Sequence, residues 1–181
     1  MQEKLAQFKE LMGTASDLSS AAALLGWDQQ TYMPPKAAEE RGEQLATLAR
    51  IVHEMITSEE FGRLLEDLLP YAQSLDGDST EGRIIFKAKK LYDKETKVPV
   101  EKVAEFARAT TLGQEAWVRA KTESNFGSFK PYLEKIVDLR REYASYFKPY
   151  EHVYDPLLDD FEPGMKTADI LAIFFALRPQ Q

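Results

Sequence analysis

The sequence predicts an all-α fold, and three observations carry that expectation. Apolar residues recur at three- and four-residue steps along nearly the whole chain, the spacing that gathers them on one face of a helix. No run of alternating or β-branched residues is long enough to propose a strand. Proline, glycine and capping residues interrupt the pattern so as to leave short connections, which favours antiparallel neighbours in a bundle or in elongated helical hairpins. The expectation is about seven helices and no sheet, in a single helical domain over residues 1–181.

The first helix is the longest. Leu5, Phe8, Met12, Ala15, Leu18, Ala22 and Leu25 form one stripe, broken from Gly26 to Pro35. Pro34-Pro35 suits the opening turn of a second helix, where no backbone donor is needed, and Leu45, Leu48, Val52 and Met55 continue its stripe. Thr57 with Glu60 reads as a capping box for a third helix, lined by Phe61, Leu64, Leu65 and Leu68 and ended before Asp76-Gly77-Asp78. Asp78 and Glu81 offer the next cap. The fourth helix carries Ile84, Ile85, Ala88, Leu91 and Tyr92; the fifth starts at Val98-Pro99 and runs through Val103, Ala107 and Trp117. Asn125-Phe126-Gly127 reads as a stop, with Ser128 capping a sixth helix through Tyr132, Leu133, Ile136, Leu139, Tyr143 and Phe147. The last helix, from Thr167, presents Ile170, Leu171, Phe174, Phe175 and Leu177 over barely three turns, and such an apolar tail expects something further to pack against.

Composition narrows the function. With 44% apolar and 29% charged residues the chain is of ordinary globular make-up. The net charge of −7 repels phosphate backbones and anionic headgroups, so neither nucleic acid nor a membrane is an expected partner. The N-terminus has no charged region followed by an apolar stretch, so a cytoplasmic location is expected. Cysteine is absent, which removes disulfides, thiolate metal sites and cysteine nucleophiles.

Candidate chemistry is sparse. His53-Glu54 begins like the H-E-x-x-H zinc motif, in which two imidazoles one helical turn apart converge on the metal, but position 57 is Thr and the other histidine is His152. His53 therefore reads as a surface-helix residue. Asp155, Asp159, Asp160 and Glu162 crowd one segment that reads as a solvated acidic loop, with a hard-cation site or the polar wall of a groove as alternatives. Trp27-Asp28-Gln29-Gln30 joins an aromatic face to a carboxylate and two amides at a helix end, suited to anchoring a turn and also to ligand contact. Lys87-Ala88-Lys89-Lys90 reads as a solvated helix face. No catalytic residue and no metal ligand is assigned on these grounds.

The string LLGWDQQTYMPPKAAEERGEQLATLARIVHEMITS, residues 24–58, resembles the N-terminal signature of the carboxypeptidase Taq family, the thermostable carboxypeptidases. Val98-Pro99, FKPYLEKIVDLRREY at 129–143 and YDPLLDDFEPGM at 154–165 follow in the family's order. The resemblance implies a cytoplasmic, mainly helical metallopeptidase that removes C-terminal amino acids, using zinc or a similar divalent ion held by an H-E-x-x-H helix and a downstream Glu in its later half. This chain has no such motif. It is expected to be the N-terminal helical region of such an enzyme, inactive by itself, walling the substrate groove. Trp27, Asp28, Tyr154 and Asp155 are the groove-facing candidates that the matched strings suggest. The implied partners are the remainder of the enzyme, its peptide substrate and a second copy in a homodimer. The alternative is a non-enzymatic helical interaction or self-association module built on the apolar tail.

Overall fold

The computed structural model describes residues 1–180. Among them are eight α-helices, one 3₁₀ turn and no strand: α1 (Gln2–Thr31), α2 (Ala38–Ile56), α3 (Glu59–Ser74), α4 (Thr80–Glu95), α5 (Val100–Thr122), α6 (Phe126–Ser145), α7 (Asp155–Leu158) and α8 (Thr167–Leu177), with the 3₁₀ turn at Arg178–Gln180. The extra helix is α7, a single turn inside the segment read from the sequence as a loop. The chain divides into two compact units, Met1–Tyr132 and Leu133–Gln181.

Helix ends depart from the sequence reading by one to six residues. The first helix runs through Gly26 to Thr31 instead of stopping, because an isolated glycine costs only about 1 kcal/mol in a helix that is otherwise well packed. Pro34 and Pro35 lie in the turn, and α2 begins three residues later. Ser58, not Thr57, caps α3 by accepting from the Phe61 N–H at 3.1 Å; the Thr57 hydroxyl donates to the His53 carbonyl instead. Ser79 takes the place expected of Asp78, accepting from the Gly82 N–H, while Asp78 pairs with Arg83. Pro99 is the residue before α5, and α6 opens at Phe126, two residues ahead of Ser128.

The first unit is built on two faces of contact. The apolar stripe of α1 packs with α2, α3 and α4 around Leu5, Phe8, Ala15, Ile56, Phe61, Leu65, Leu68, Ala72, Ile85 and Ala88. Phe8 stacks on Phe61 with centroids 5.9 Å apart, and Phe61 in turn meets Tyr92 at 6.2 Å. The second face joins α2 to α5. The buried positions of α2 are Ala38, Arg41, Gly42, Ala46, His53 and Ile56, and those of α5 are Thr111, Gly113, Ala116 and Ala120. Small residues on both helices let the backbones approach: a Cβ on Gly42 would stand 3.6 Å from Arg108 Cγ and 3.8 Å from Thr111 Cγ2. This displaces the sequence reading in two places. The deepest line of α2 lies beside the large apolar stripe instead of along it, and Trp117 and Ile84 are exposed instead of core. Hydrophobicity alone ranks residues by size, whereas close helix approach selects small ones.

Gly62 is a close contact between α3 and α4, where a Cβ would lie 2.7 Å from Tyr92 Cζ. Gly62→Ala is expected to destabilise the chain by about 1–3 kcal/mol through displacement of the Tyr92 ring. Gly77→Ala, with nothing within 4 Å of its Cβ position, is the matched control, and urea melts of the two variants test the contrast.

Candidate functional site

The end of α1 and the start of α2 form a polar corner. Asp28 accepts the N–H groups of Tyr32 and Met33 on its backbone carbonyl, both at 2.9 Å, which closes the helix. Its carboxylate accepts from Arg41 Nη2 at 2.6 Å. Arg41 is buried, and its guanidinium also donates from Nη1 to the Leu25 carbonyl and from Nε to Gln44 Oε1 at 3.1 Å. The last turn of α1 holds no basic residue, so α2 supplies the cation that the helix C-terminus favours. Gln29 reaches the other way, donating from Nε2 to the Thr111 carbonyl of α5 at 3.0 Å. Trp27 stands over this scaffold 54% exposed, edge-on to Tyr32 at 5.6 Å.

Beside the corner lies an open recess of about 430 Å³ lined by Leu25, Glu43, Gln44, Thr47 and Leu48. Arg108 chelates Glu43 across the α2–α5 contact and its hydrogen bonds hold the Glu43 carboxyl below the usual carboxylate range. A second recess of about 260 Å³ is lined by residues that include Trp117, Lys121, Phe126 and Phe129, with Lys121 Nζ 5.1 Å from the centroid of the Trp117 ring. Both recesses offer surfaces for contact. In the first, the one carboxylate, Glu43, is committed to Arg108, and among the described residues no metal-ligand cluster is gathered.

In the second unit, Asp155 is only 6% exposed. Oδ1 accepts from the Thr167 N–H at 2.8 Å and its hydroxyl at 2.6 Å; Oδ2 accepts from the His152 N–H at 3.1 Å. These donors, the Thr167 hydroxyl foremost, hold the carboxyl below its ordinary pKa against the opposing effect of burial. Asp155 therefore fastens α7 to the start of α8. Tyr154, one residue before, is half exposed. Two of the other acidic side chains are engaged separately: Asp159 Oδ1 accepts from the Gly164 N–H at 2.8 Å, and Asp160 Oδ1 is 3.4 Å from the Tyr143 hydroxyl. Gly164 has φ +86°, a conformation that favours glycine.

His53 is the clearest correction. It is 5% exposed, not a surface residue. Nε2 lies 3.0 Å from the Glu95 carbonyl oxygen and 3.7 Å from Glu95 Oε2. A carbonyl only accepts, so Nε2 carries a proton and ties α2 to the C-terminus of α4. Nδ1 is buried and has no partner. The signal was present in its register, since Gly42, Ala46, His53 and Ile56 share one buried line. Arg41 was legible in the same way: it sits one turn before Leu45 on the stripe that continues through Leu48 and Val52, and a charge on an apolar stripe implies a buried partner. Among the described residues no three His, Asp or Glu side chains are gathered as a metal site. The residues present do not match the three-ligand set a catalytic zinc requires, and no metal-dependent step is assigned to this chain.

Two consequences are measurable. Arg41→Ala is expected to cost roughly 2–3 kcal/mol, because Asp28 and the Leu25 carbonyl lose a buried donor; a denaturant melt reads it. A depressed folded-state pKa makes the Asp155 contribution fully present above the unfolded value of about 3.9 and lost as pH falls through the lower folded value. Asp155→Asn is therefore expected to melt below the unsubstituted chain at neutral pH, with the gap closing in acid. A pH-independent gap would remove the ionised carboxylate from the explanation.

Comparison with known proteins places these features in a family. The model for the carboxypeptidase Taq (M32) metallopeptidases matches residues 7–180. Carboxypeptidase 1 of Bacillus subtilis (strain 168) is 32% identical over 170 residues, covering 94% of this chain and 33% of that protein. Thermostable carboxypeptidase 1 of Thermus thermophilus is 31% identical over 170 residues, covering 89% and 33%. Among solved structures, BsuCP superposes with a TM-score of 0.92 at 30% identity, covering 98% of this chain and 35% of that one. The Pyrococcus furiosus carboxypeptidase structure gives 0.74 at 29% identity, covering 99% and 35%. The chain spans about a third of the length of the curated relatives it matches.

Proposed function

The chain belongs to the carboxypeptidase Taq (M32) metallopeptidase family, and on that premise we propose that it is the N-terminal helical region of a zinc-dependent metallocarboxypeptidase, a cytoplasmic enzyme that releases C-terminal amino acids from peptides. The observation that carries this reading is the match over almost the whole chain to proteins about three times as long. The division of labour follows from chemistry. Hydrolysis with a metal requires ligands and a water-activating base, and this chain has two histidines, His53 and His152, neither in an H-E-x-x-H motif. Catalysis is assigned to the remainder of the enzyme, and a wall of the substrate groove to these helices.

The four groove candidates then divide by role. Trp27 and Tyr154, each exposed within its own unit, are the proposed peptide-contacting faces; an aromatic ring offers contact area at little entropic cost. Asp28 and Asp155 spend their oxygens on Arg41, His152 and Thr167 and are proposed to hold those aromatic faces in position. A homodimer of the whole enzyme is part of the same proposal. The alternative, a non-enzymatic interaction module, draws on the exposed apolar side chains of α8, and a compact, dilution-resistant monomer in sedimentation counts against it.

The test is direct. The purified chain is expected neither to bind stoichiometric zinc nor to release C-terminal residues from a peptide; observing both would overturn the assignment of catalysis to the remainder. In a chimera where this chain replaces the matched third of Bacillus subtilis carboxypeptidase 1, Trp27→Ala is expected to raise KM several-fold with kcat little changed, the mark of lost uniform binding.

A further inference from the structure

α8 is not amphipathic. From Ile170 to Leu177 every residue is apolar, and none of the helix is buried. Phe174 is 61% and Phe175 67% exposed, with Leu171, Ile173 and Leu177 also exposed. At about 100° per residue these five side chains spread over roughly 200° of the helix circumference, and the exposed Ala172 and Ala176 occupy the remaining side, so that no face of this stretch is polar. A helix apolar on all sides belongs in a protein interior.

We infer that α8 is a docking helix, enclosed from several sides by the additional helices of a full-length M32 fold. This deepens the reading under "Proposed function" and rests on it. Three observations select that occupant. A second copy meeting α8 across a two-fold axis covers one stripe and leaves the opposite one wet. A membrane surface selects a helix with a polar, basic face, which Ile170–Leu177 lacks, and no described helix is long and apolar enough to cross a bilayer. A covering of matching size is at hand: BsuCP contains this fold at TM-score 0.92 within a chain of which it makes up 35%. Asp155 contributes by fixing where the helix starts, through its bonds to Thr167, so that the docking face is presented in place.

The absence of cysteine makes a thiol probe clean. Phe174→Cys is introduced into the free chain and into the chimera with Bacillus subtilis carboxypeptidase 1; Glu59→Cys, at a side chain 92% exposed, is the control. Maleimide labelling is followed by mass spectrometry of the peptide containing each position. Position 174 is expected to label rapidly in the free chain at every concentration and at least about 100-fold more slowly in the chimera, as for a site that reacts only on local opening, while position 59 labels alike in both. Equal labelling of 174 in the two proteins overturns the inference. So does protection in the free chain that grows with concentration, which assigns the face to a second copy. A chimera that folds only when residues 167–177 come from the Bacillus subtilis protein also overturns it. Activity separates this inference from the functional reading. An active chimera with position 174 open sinks only the docking helix, and a protected but inactive chimera sinks only the functional reading.

Discussion

The close approach of α2 and α5 is the constraint on which the first unit depends. It rests on small buried residues on both helices, Ala38, Gly42 and Ala46 on α2 and Thr111, Gly113, Ala116 and Ala120 on α5, with Gly42 set close against Arg108 and Thr111. Once the helices are that near, Arg108 chelates Glu43 and Gln29 reaches the Thr111 carbonyl. The end of α1 is thereby held to a helix some eighty residues later in the chain. Larger residues along this line would push α5 outward and break those polar links at a stroke, since side-chain hydrogen bonds tolerate only tenths of an ångström.

The polar corner illustrates how a buried charge serves geometry. Arg41 gains little net stability from leaving water, because desolvation offsets much of its attraction to Asp28. Its guanidinium nevertheless fixes three acceptors at once and so sets where α1 ends and how Trp27 is displayed. Asp155 plays the equivalent part in the second unit, where one carboxylate takes three donors. In both places the aromatic neighbour stands exposed while the carboxylate is committed. A sequence string containing both residues does not separate those roles.

Much of the fold was legible without coordinates. The stripe on α1 is buried or half buried from Leu5 to Leu25, and the α3 stripe is buried in full. Helix ends were less legible, because Ser58 and Thr57, or Ser79 and Asp78, are chemically equivalent caps one residue apart and packing chooses between them. His53 was misplaced for a related reason: an imidazole is stable on a surface or in a core, and only the Glu95 carbonyl waiting at 3.0 Å decides the matter.

What the sequence determined by itself was the all-α class, the absence of an H-E-x-x-H motif and the family resemblance, because periodicity, inventory and motif order are properties of the chain alone. Tertiary structure decided which helices meet, that Asp28 and Asp155 are committed to bonds while Trp27 and Tyr154 beside them stand exposed, and that α8 is left uncovered. Those depend on distances between residues far apart in sequence, and small side chains, which carry little signal in a hydrophobic pattern, set the shortest of those distances.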